Sequence, residues 1–164
     1  MATNKIIQKI TPFLWFDNKA EEAVNFYTSI FKDATIKGSS RYNTESAKAS
    51  GQQDGAIMTI SFNLNGQDFT AINGGPIFKF TEAISFVVNC ENQEEVDHYW
   101  NKLTEGGQEV QCGWLKDKFG LSWQIVPKQL GELMRGTKAG RVMGAMLKMK
   151  KIVIKELEDA ANQQ

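Results

Sequence analysis

Few residues in this chain could make or break bonds. Among its 164 residues are one histidine, His98, and two cysteines, Cys90 and Cys112. A cysteine becomes a nucleophile only where a nearby base or cation lowers its pKa. Cys112 stands in Cys112-Gly113-Trp114, with Glu109 and Asp117 as the only acids placed to pair with it, and His98 falls on a helical stretch elsewhere. An inert thiol outweighs a reactive one, and no catalytic residue is assigned. Asp117, shortly before Gly120, reads as turn chemistry. Neutral hydrogen-bonding groups are the richer class: Thr59, Ser61, Asn63, Thr70, Ser85, Asn89, Ser122 and Gln124 recur inside alternating segments. A few such groups on a concave, mostly apolar surface orient a small molecule.

The segments that must position them alternate with a period of two. Met58, Ile60, Phe62 and Leu64 interleave with Thr59, Ser61 and Asn63, the pattern of a half-buried strand. One strand face then holds Met58, Ile60, Phe62, Phe86, Val88, Trp123 and Ile125, to be packed under helices. The opposite face holds the neutral polar groups. If two such sheets curl toward each other they enclose a cleft, with Pro12, Leu14 and Phe16 supplying apolar wall and Trp114 and Trp123 stacking on a planar ligand. A polar sheet face that simply meets water satisfies the same alternation. The expected ligand contacts are Phe16, Thr59, Ser61, Asn73, Ser85, Trp114, Trp123 and Gln124, foremost Asn73, Ser85 and Gln124.

The elements come in two copies. Phe13–Tyr27 returns 73 positions later as Phe86–Trp100, with Glu21-Glu22 on Glu94-Glu95 and Phe26-Tyr27 on Tyr99-Trp100. Such a repeat decides the architecture. Residues 6–16 read as a strand, followed by a helix whose apolar face is Ala20, Ala23, Val24, Tyr27, Ile30 and Phe31. Asn18 and Glu21 suggest a capping box, as do Asn92 and Glu95 in the second copy; Asp17 suits the same helix start. Strands follow at 35–42, 58–64 and 67–73, with Asn65-Gly66 as a type I′ hairpin. Residues 43–55 read as a polar loop, lid-like or disordered. Module two repeats the order with strands at 83–88, 108–115 and 121–126. The expected fold is α+β: two βαβββ modules (6–75 and 83–127) in one domain, 1–128, with a helical C-terminal extension, 129–164, of the same domain.

That extension places Val142, Ala145, Met146, Met149, Ile152 and Val153 at helical spacing, and from Lys128 to Lys155 there are eight basic residues against one acid, Glu132. An apolar stripe of this kind needs a partner, either the sheet or a second subunit, so a homodimer is expected. Acids follow at once and no aromatic residue interleaves with the lysines, so nucleic acid and membrane are not expected partners. Formal charge is zero and 41% of residues are hydrophobic, an ordinary globular composition. No apolar run approaches a membrane span, residues 1–12 carry no signal-peptide core, and two cysteines make no disulfide framework. The expected location is the cytoplasm.

The paired module resembles the vicinal oxygen chelate superfamily, which includes glyoxalase I, bleomycin-resistance proteins and extradiol dioxygenases. Ile10–Asp17, Ala23–Tyr27, Asn65–Phe69, Asn73–Gly75, Cys112–Asp117 and Gly120–Pro127 narrow the likeness to the PhnB-like group, often labelled 3-demethylubiquinone-9 3-methyltransferase. The likeness spans residues 6–155. In metal-using members the ligands are usually His and Glu from the first and last strands of each module. Here those places fall near Pro12, Thr70, Ser85 and Gln124, so the resemblance implies no glyoxalase-type metal site. Methyl transfer from S-adenosylmethionine is discounted, because the first strand runs into Phe16-Asp17-Asn18-Lys19 with no glycine-rich turn. Three functional readings follow. The first is a small-molecule-binding protein with no metal or other cofactor. The second is an enzyme of the same fold acting on a small metabolite. The third is an interaction module using its basic C-terminal helix.

Overall fold

The computed structural model describes residues 8–163. Two compact units divide after Lys79. The first contains β1 (Phe13–Phe16), α1 (Ala20–Ile30), β2 (Ala34–Arg41), α2 (Thr44–Ser50), β3 (Ile57–Leu64) and β4 (Gln67–Asn73). Its sheet runs β1-β4-β3-β2, with β1 parallel to β4 and the other pairs antiparallel. Asn65 and Gly66 have φ of 46° and 85°, the type I′ geometry that brings β4 straight back along β3. α1 buries Ala20, Ala23, Val24, Tyr27 and Ile30. Tyr27 stacks on Phe62 at 6.3 Å, and Phe62 on Phe69 at 5.4 Å. Phe62 is wholly buried; covering a side chain of that size stabilises by roughly 1.5–3 kcal/mol.

Three local expectations for this unit need correction. Strand one is shorter than 6–16: it begins at Phe13, and residues 6 and 7 lie outside the described residues. Asn18 does not cap α1. It takes a left-handed φ of 54°, and Lys19 occupies the cap without a side-chain bond. The Ala20 N–H instead donates to Asn73 Oδ1 at 2.8 Å, so a residue at the far end of β4 satisfies the helix start. The supposed loop 43–55 contains α2. Asn43 Oδ1 accepts from the Ser46 N–H, Ser46 Oγ accepts from the Asn43 N–H, and Gly51 ends the helix in the left-handed region. Only Ala47 of that helix is buried, which is why the segment carries no apolar periodicity.

The second unit repeats the topology: β5 (Ser85–Cys90), α3 (Gln93–Leu103), β6 (Gln108–Glu109), β7 (Trp114–Lys116) and β8 (Ser122–Pro127), in sheet order β5-β8-β7-β6 with β5 parallel to β8. Asn92 caps α3 through the Glu95 N–H, but the Glu95 carboxylate returns to the Glu91 N–H and not to that of Asn92. The single strand expected over 108–115 is two short antiparallel strands, split where Cys112 and Gly113 take φ of 60° and 82°.

The repeat holds at 73 in the helices, where Ala20 matches Gln93, but not in the first strands. Phe16 pairs with Asn73 at the end of β4, and its topological counterpart Cys90 pairs with Pro127 at the end of β8. Sixteen and ninety differ by 74. The second module has one residue fewer between strand and helix.

The extension belongs to the second unit and is not one helix. α4 (Leu130–Leu133), a 3-10 turn (Gly136–Lys138), α5 (Ala139–Met146) and α6 (Ile154–Asn162) follow in order, with non-helical chain from Leu147 to Val153. Val142, Met149, Ile152, Leu157 and Ala161 form one buried cluster. The stripe therefore finds its partner in α6 of the same chain, and that ground for a homodimer is removed. No described helix is long and apolar enough to cross a membrane.

Candidate functional site

Cα partners on neighbouring strands share a sheet face and successive residues alternate, so register decides which side chains meet. In the first sheet Ser61 is paired with Thr70 and Thr70 with Phe13; Thr59 is paired with Ile72 and Ile72 with Trp15. The face away from α1 thus carries Phe13, Trp15, Thr59, Ser61, Thr70 and Ile72. Phe13 is 60% exposed. Thr59 Oγ1 lies 2.6 Å from Ser40 Oγ. Trp15 donates its indole N–H to Gly75 O at 2.9 Å and meets Phe78 edge-on. Gly74 has no room for a Cβ, which would stand 2.1 Å from the Trp15 ring.

Leu14 and Phe16 lie on the other face, 7% and 3% exposed under the helix, and cannot line the polar side as expected. All four residues of β1 are apolar, so alternation of polarity gave no phase, and a one-residue slip exchanges the faces. Asn73 shares the helix-side face with Phe16. Besides the Ala20 N–H, it donates through Nδ2 to Ile57 O at 3.1 Å and to Glu21 Oε2 at 3.4 Å, and its backbone oxygen accepts from Tyr42 Oη at 2.7 Å. Those bonds tie α1, β3 and the Tyr42 that follows β2 together around one buried amide.

In the second sheet, register sets Ser85, Ser122 and Lys116 in one row and Val87, Gln124 and Trp114 in the next. Gln124 Nε2 donates to Ser85 Oγ at 2.9 Å. The Ser122 hydroxyl is buried and has no hydrogen-bond partner among the described residues, a condition that costs about 1–3 kcal/mol unless something fills it. Lys116 pairs with Glu82; the bond from Lys116 holds the Glu82 carboxyl below its ordinary range. Trp114 and Gln124 therefore share a face, while Trp123 does not join them. Trp123 lies on the side covered by α3, 3% exposed, with its ring against Phe86 and its indole N–H donated to Asp117 Oδ2 at 2.9 Å.

Asp117 is more than a turn residue. Its Oδ1 also accepts from the Phe119 and Leu121 N–H groups at 2.8 and 3.1 Å. Glu109 accepts from Trp100 Nε1. No hydrogen bond joins either acid to Cys112 among the described residues, so the loose catalytic pairing does not form. What fixes Cys112-Gly113 is backbone: their N–H groups donate to Met149 O and Lys150 O at 2.9 and 2.8 Å, and the Ile125 N–H donates to Gly113 O. A Cβ on Gly113 would lie 2.8 Å from Ile125 O. Cys90 is fully buried, and desolvation, with Glu95 nearby, pushes its thiol up to about 12. His98 lies on α3 against Tyr99.

The chain matches, over residues 8–126, the family model described as 3-demethylubiquinone-9 3-methyltransferase. It is 40% identical to a PhnB protein from Bacillus cereus that carries the same description, over 73% of this chain and 99% of that one, with a TM-score of 0.65. The chain belongs to this PhnB-like family of the vicinal oxygen chelate superfamily. A Pseudomonas aeruginosa protein (20% identity, 74% and 98% covered, TM-score 0.60) shares the fold. So does a fosfomycin resistance protein, FosX, from Listeria monocytogenes complexed with Mn(II) and sulfate (16%, 79% and 96%, 0.52). No curated protein matches.

Two cofactors that family and superfamily suggest can be tested against the PhnB-like chain's own residues. A divalent ion needs imidazole or carboxylate ligands. The places that the resemblance gives for such ligands fall near Pro12, Thr70, Ser85 and Gln124, none of them His or a carboxylate, and no group of three or more His, Cys, Asp or Glu able to hold a metal occurs among the described residues. Those residues do not fit the ion. S-adenosylmethionine sites of the doubly wound kind use a glycine-rich turn after the first strand of a parallel sheet. Each sheet here has a single parallel pair, and the turns into α1 and α3 are Asp17-Asn18-Lys19 and Glu91-Asn92. They do not fit that cofactor either.

Proposed function

We propose that this PhnB-like protein binds a small, largely neutral organic molecule through the polar face of a sheet, holding it by hydrogen bonds and ring contact without a resident metal. One observation carries the reading. On the second sheet Ser85, Ser122, Gln124 and Trp114 adjoin in register, and the buried Ser122 hydroxyl lacks a partner among the described residues. The only cation in those rows, Lys116, is already paired. This set can donate and accept hydrogen bonds and offer an aromatic ring, but contains no acid–base couple poised to transfer a proton. On the first sheet Thr59 and Ser61 supply comparable groups beside Trp15 and Phe13, which take the part first given to Phe16. Asn73 and Trp123, with their polar atoms engaged inside the protein, support the framework on which the contacts stand. A cytoplasmic location and homodimeric assembly accompany the proposal.

The test is tryptophan fluorescence of the full chain against a panel of planar neutral fragments. Binders should quench in the native protein, and Trp114→Phe should remove most of that quenching while Trp123→Phe leaves the affinity within about twofold. Quenching unchanged in Trp114→Phe and Gln124→Ala would place binding elsewhere.

A further inference from the structure

Outside both polar sheet faces, the first unit carries a trough in two sections. One is an open recess of about 470 Å³ at the mouth of α2, where Glu21, Arg41, Gln52 and Gln53 gather. The other, about 300 Å³, runs between α1 and β2 over Val24, Ile36 and Ile60. Glu21 and Ile57 line both sections, so the two adjoin: a polar head space beside an apolar tail space. Their volumes fall in the range of small-molecule sites.

The head space carries one charge of each sign. Arg41 donates one N–H to Gly55 O at 2.9 Å, which fixes the guanidinium, and makes no ion pair among the described residues. Among the described residues the Glu21 carboxylate has only a long contact from Asn73 Nδ2 at 3.4 Å. The two face one recess without pairing with each other. Both are exposed side chains, and Arg41 is tied to the Gly55 carbonyl rather than to the carboxylate. A molecule that brings both complementary charges at once could engage both residues. In the tail space Ile36 is 51% exposed, apolar surface that an aliphatic chain would cover. β2 slips register between Ile36 and Gly38, at the residues that line this space.

We infer that this trough binds a zwitterionic amphiphile of the α-amino-acid type: ammonium on Glu21, carboxylate on Arg41, and a short unbranched apolar side chain along Val24, Ile36 and Ile60. The site is separate from the sheet-face site proposed above and stands or falls independently of it.

The experiment is amide NMR titration of the full chain with three probes: L-norleucine, hexanoate, which lacks the ammonium, and pentylamine, which lacks the carboxylate. L-Norleucine should shift amides around Glu21, Arg41 and Ile57 with millimolar or tighter affinity, and each single-charge probe should bind at least about tenfold more weakly, as expected for loss of one charge-assisted bond. Glu21→Gln should erase the preference over hexanoate, and Arg41→Gln the preference over pentylamine. Equal binding of all three probes, absence of L-norleucine binding at its solubility limit, or shifts confined to Ser85–Gln124 would each overturn the inference. The probe comparison on the unaltered chain decides the matter even if a variant folds poorly.

Discussion

Asp117 offers the sharpest test of how this framework is held. Its carboxylate accepts from three donors: the Phe119 N–H, the Leu121 N–H and Trp123 Nε1. Leu121 and Trp123 are 2% and 3% exposed, so water cannot easily replace the carboxylate for those two. Asp117→Ala would strand two buried donors. At about 1–3 kcal/mol each, the loss is about 2–6 kcal/mol. With a urea m-value near 2 kcal/mol/M, the midpoint followed by circular dichroism should fall by about 1–3 M. A double-mutant cycle sharpens this. Trp123→Phe removes one donor, so it should cost at least about 1 kcal/mol less in the Asp117→Ala background than in the native chain. A loss under about 1 kcal/mol for Asp117→Ala, or additivity within about 0.5 kcal/mol, would refute the reasoning.

Other consequences are simpler to check. Gly74→Ala drives a methyl into the Trp15 ring, and Gly113→Ala drives one toward Ile125 O at a φ of 82°; each should cost about 1–3 kcal/mol and lower the melting temperature by several degrees, whereas Gly131→Ala, with open space around it, should not. Cys90, buried and held protonated to about 12, should stay unreactive to an aromatic disulfide reagent at pH 8 until urea is added, leaving at most one fast thiol, Cys112. Because its folded pKa is raised, its contribution to stability is complete below the ordinary thiol range and declines as pH rises toward 12. The hydrogen bond from Lys151, then that from Gln93, hold the Asp97 carboxyl below its ordinary value. That contribution is present above about pH 4 and fades as pH falls through the folded value. It should be under about 1 kcal/mol, because both partners are partly solvated, and Asp97→Asn should match the native chain at low pH but not at pH 6.

The repeat and the hairpin were legible because they rest on local signals: helical spacing, Asn92 at a cap, and Asn65-Gly66 at a turn that needs two positive φ values. The topology followed from them. The phase of β1 was not legible, since Phe13, Leu14, Trp15 and Phe16 are all apolar and only pairing with β4 sorts them between faces. Nor was the cap of α1, supplied by Asn73 from 53 positions away. α2 hid because a short exposed helix leaves no apolar stripe, although Asn43 and Ser46 stood at capping spacing. The stripe of the extension was real, but its partner was α6, whose Leu157 and Ala161 join the same cluster and had not been singled out among the acids Glu156, Glu158 and Asp159. Of the site, the placing of Ser85 and Gln124 on one face was readable from alternation, whereas the position of Trp114 beside them needed the strand register and the engagement of Trp123 by Asp117 needed a tertiary contact.

Native mass spectrometry of the freshly purified, untagged chain addresses the central claim most directly. The account predicts a non-covalent small organic adduct, no stoichiometric divalent metal, and loss of the adduct in Ser85→Ala/Gln124→Ala. A metal ion bound one per chain, or a retained S-adenosylmethionine, would contradict it.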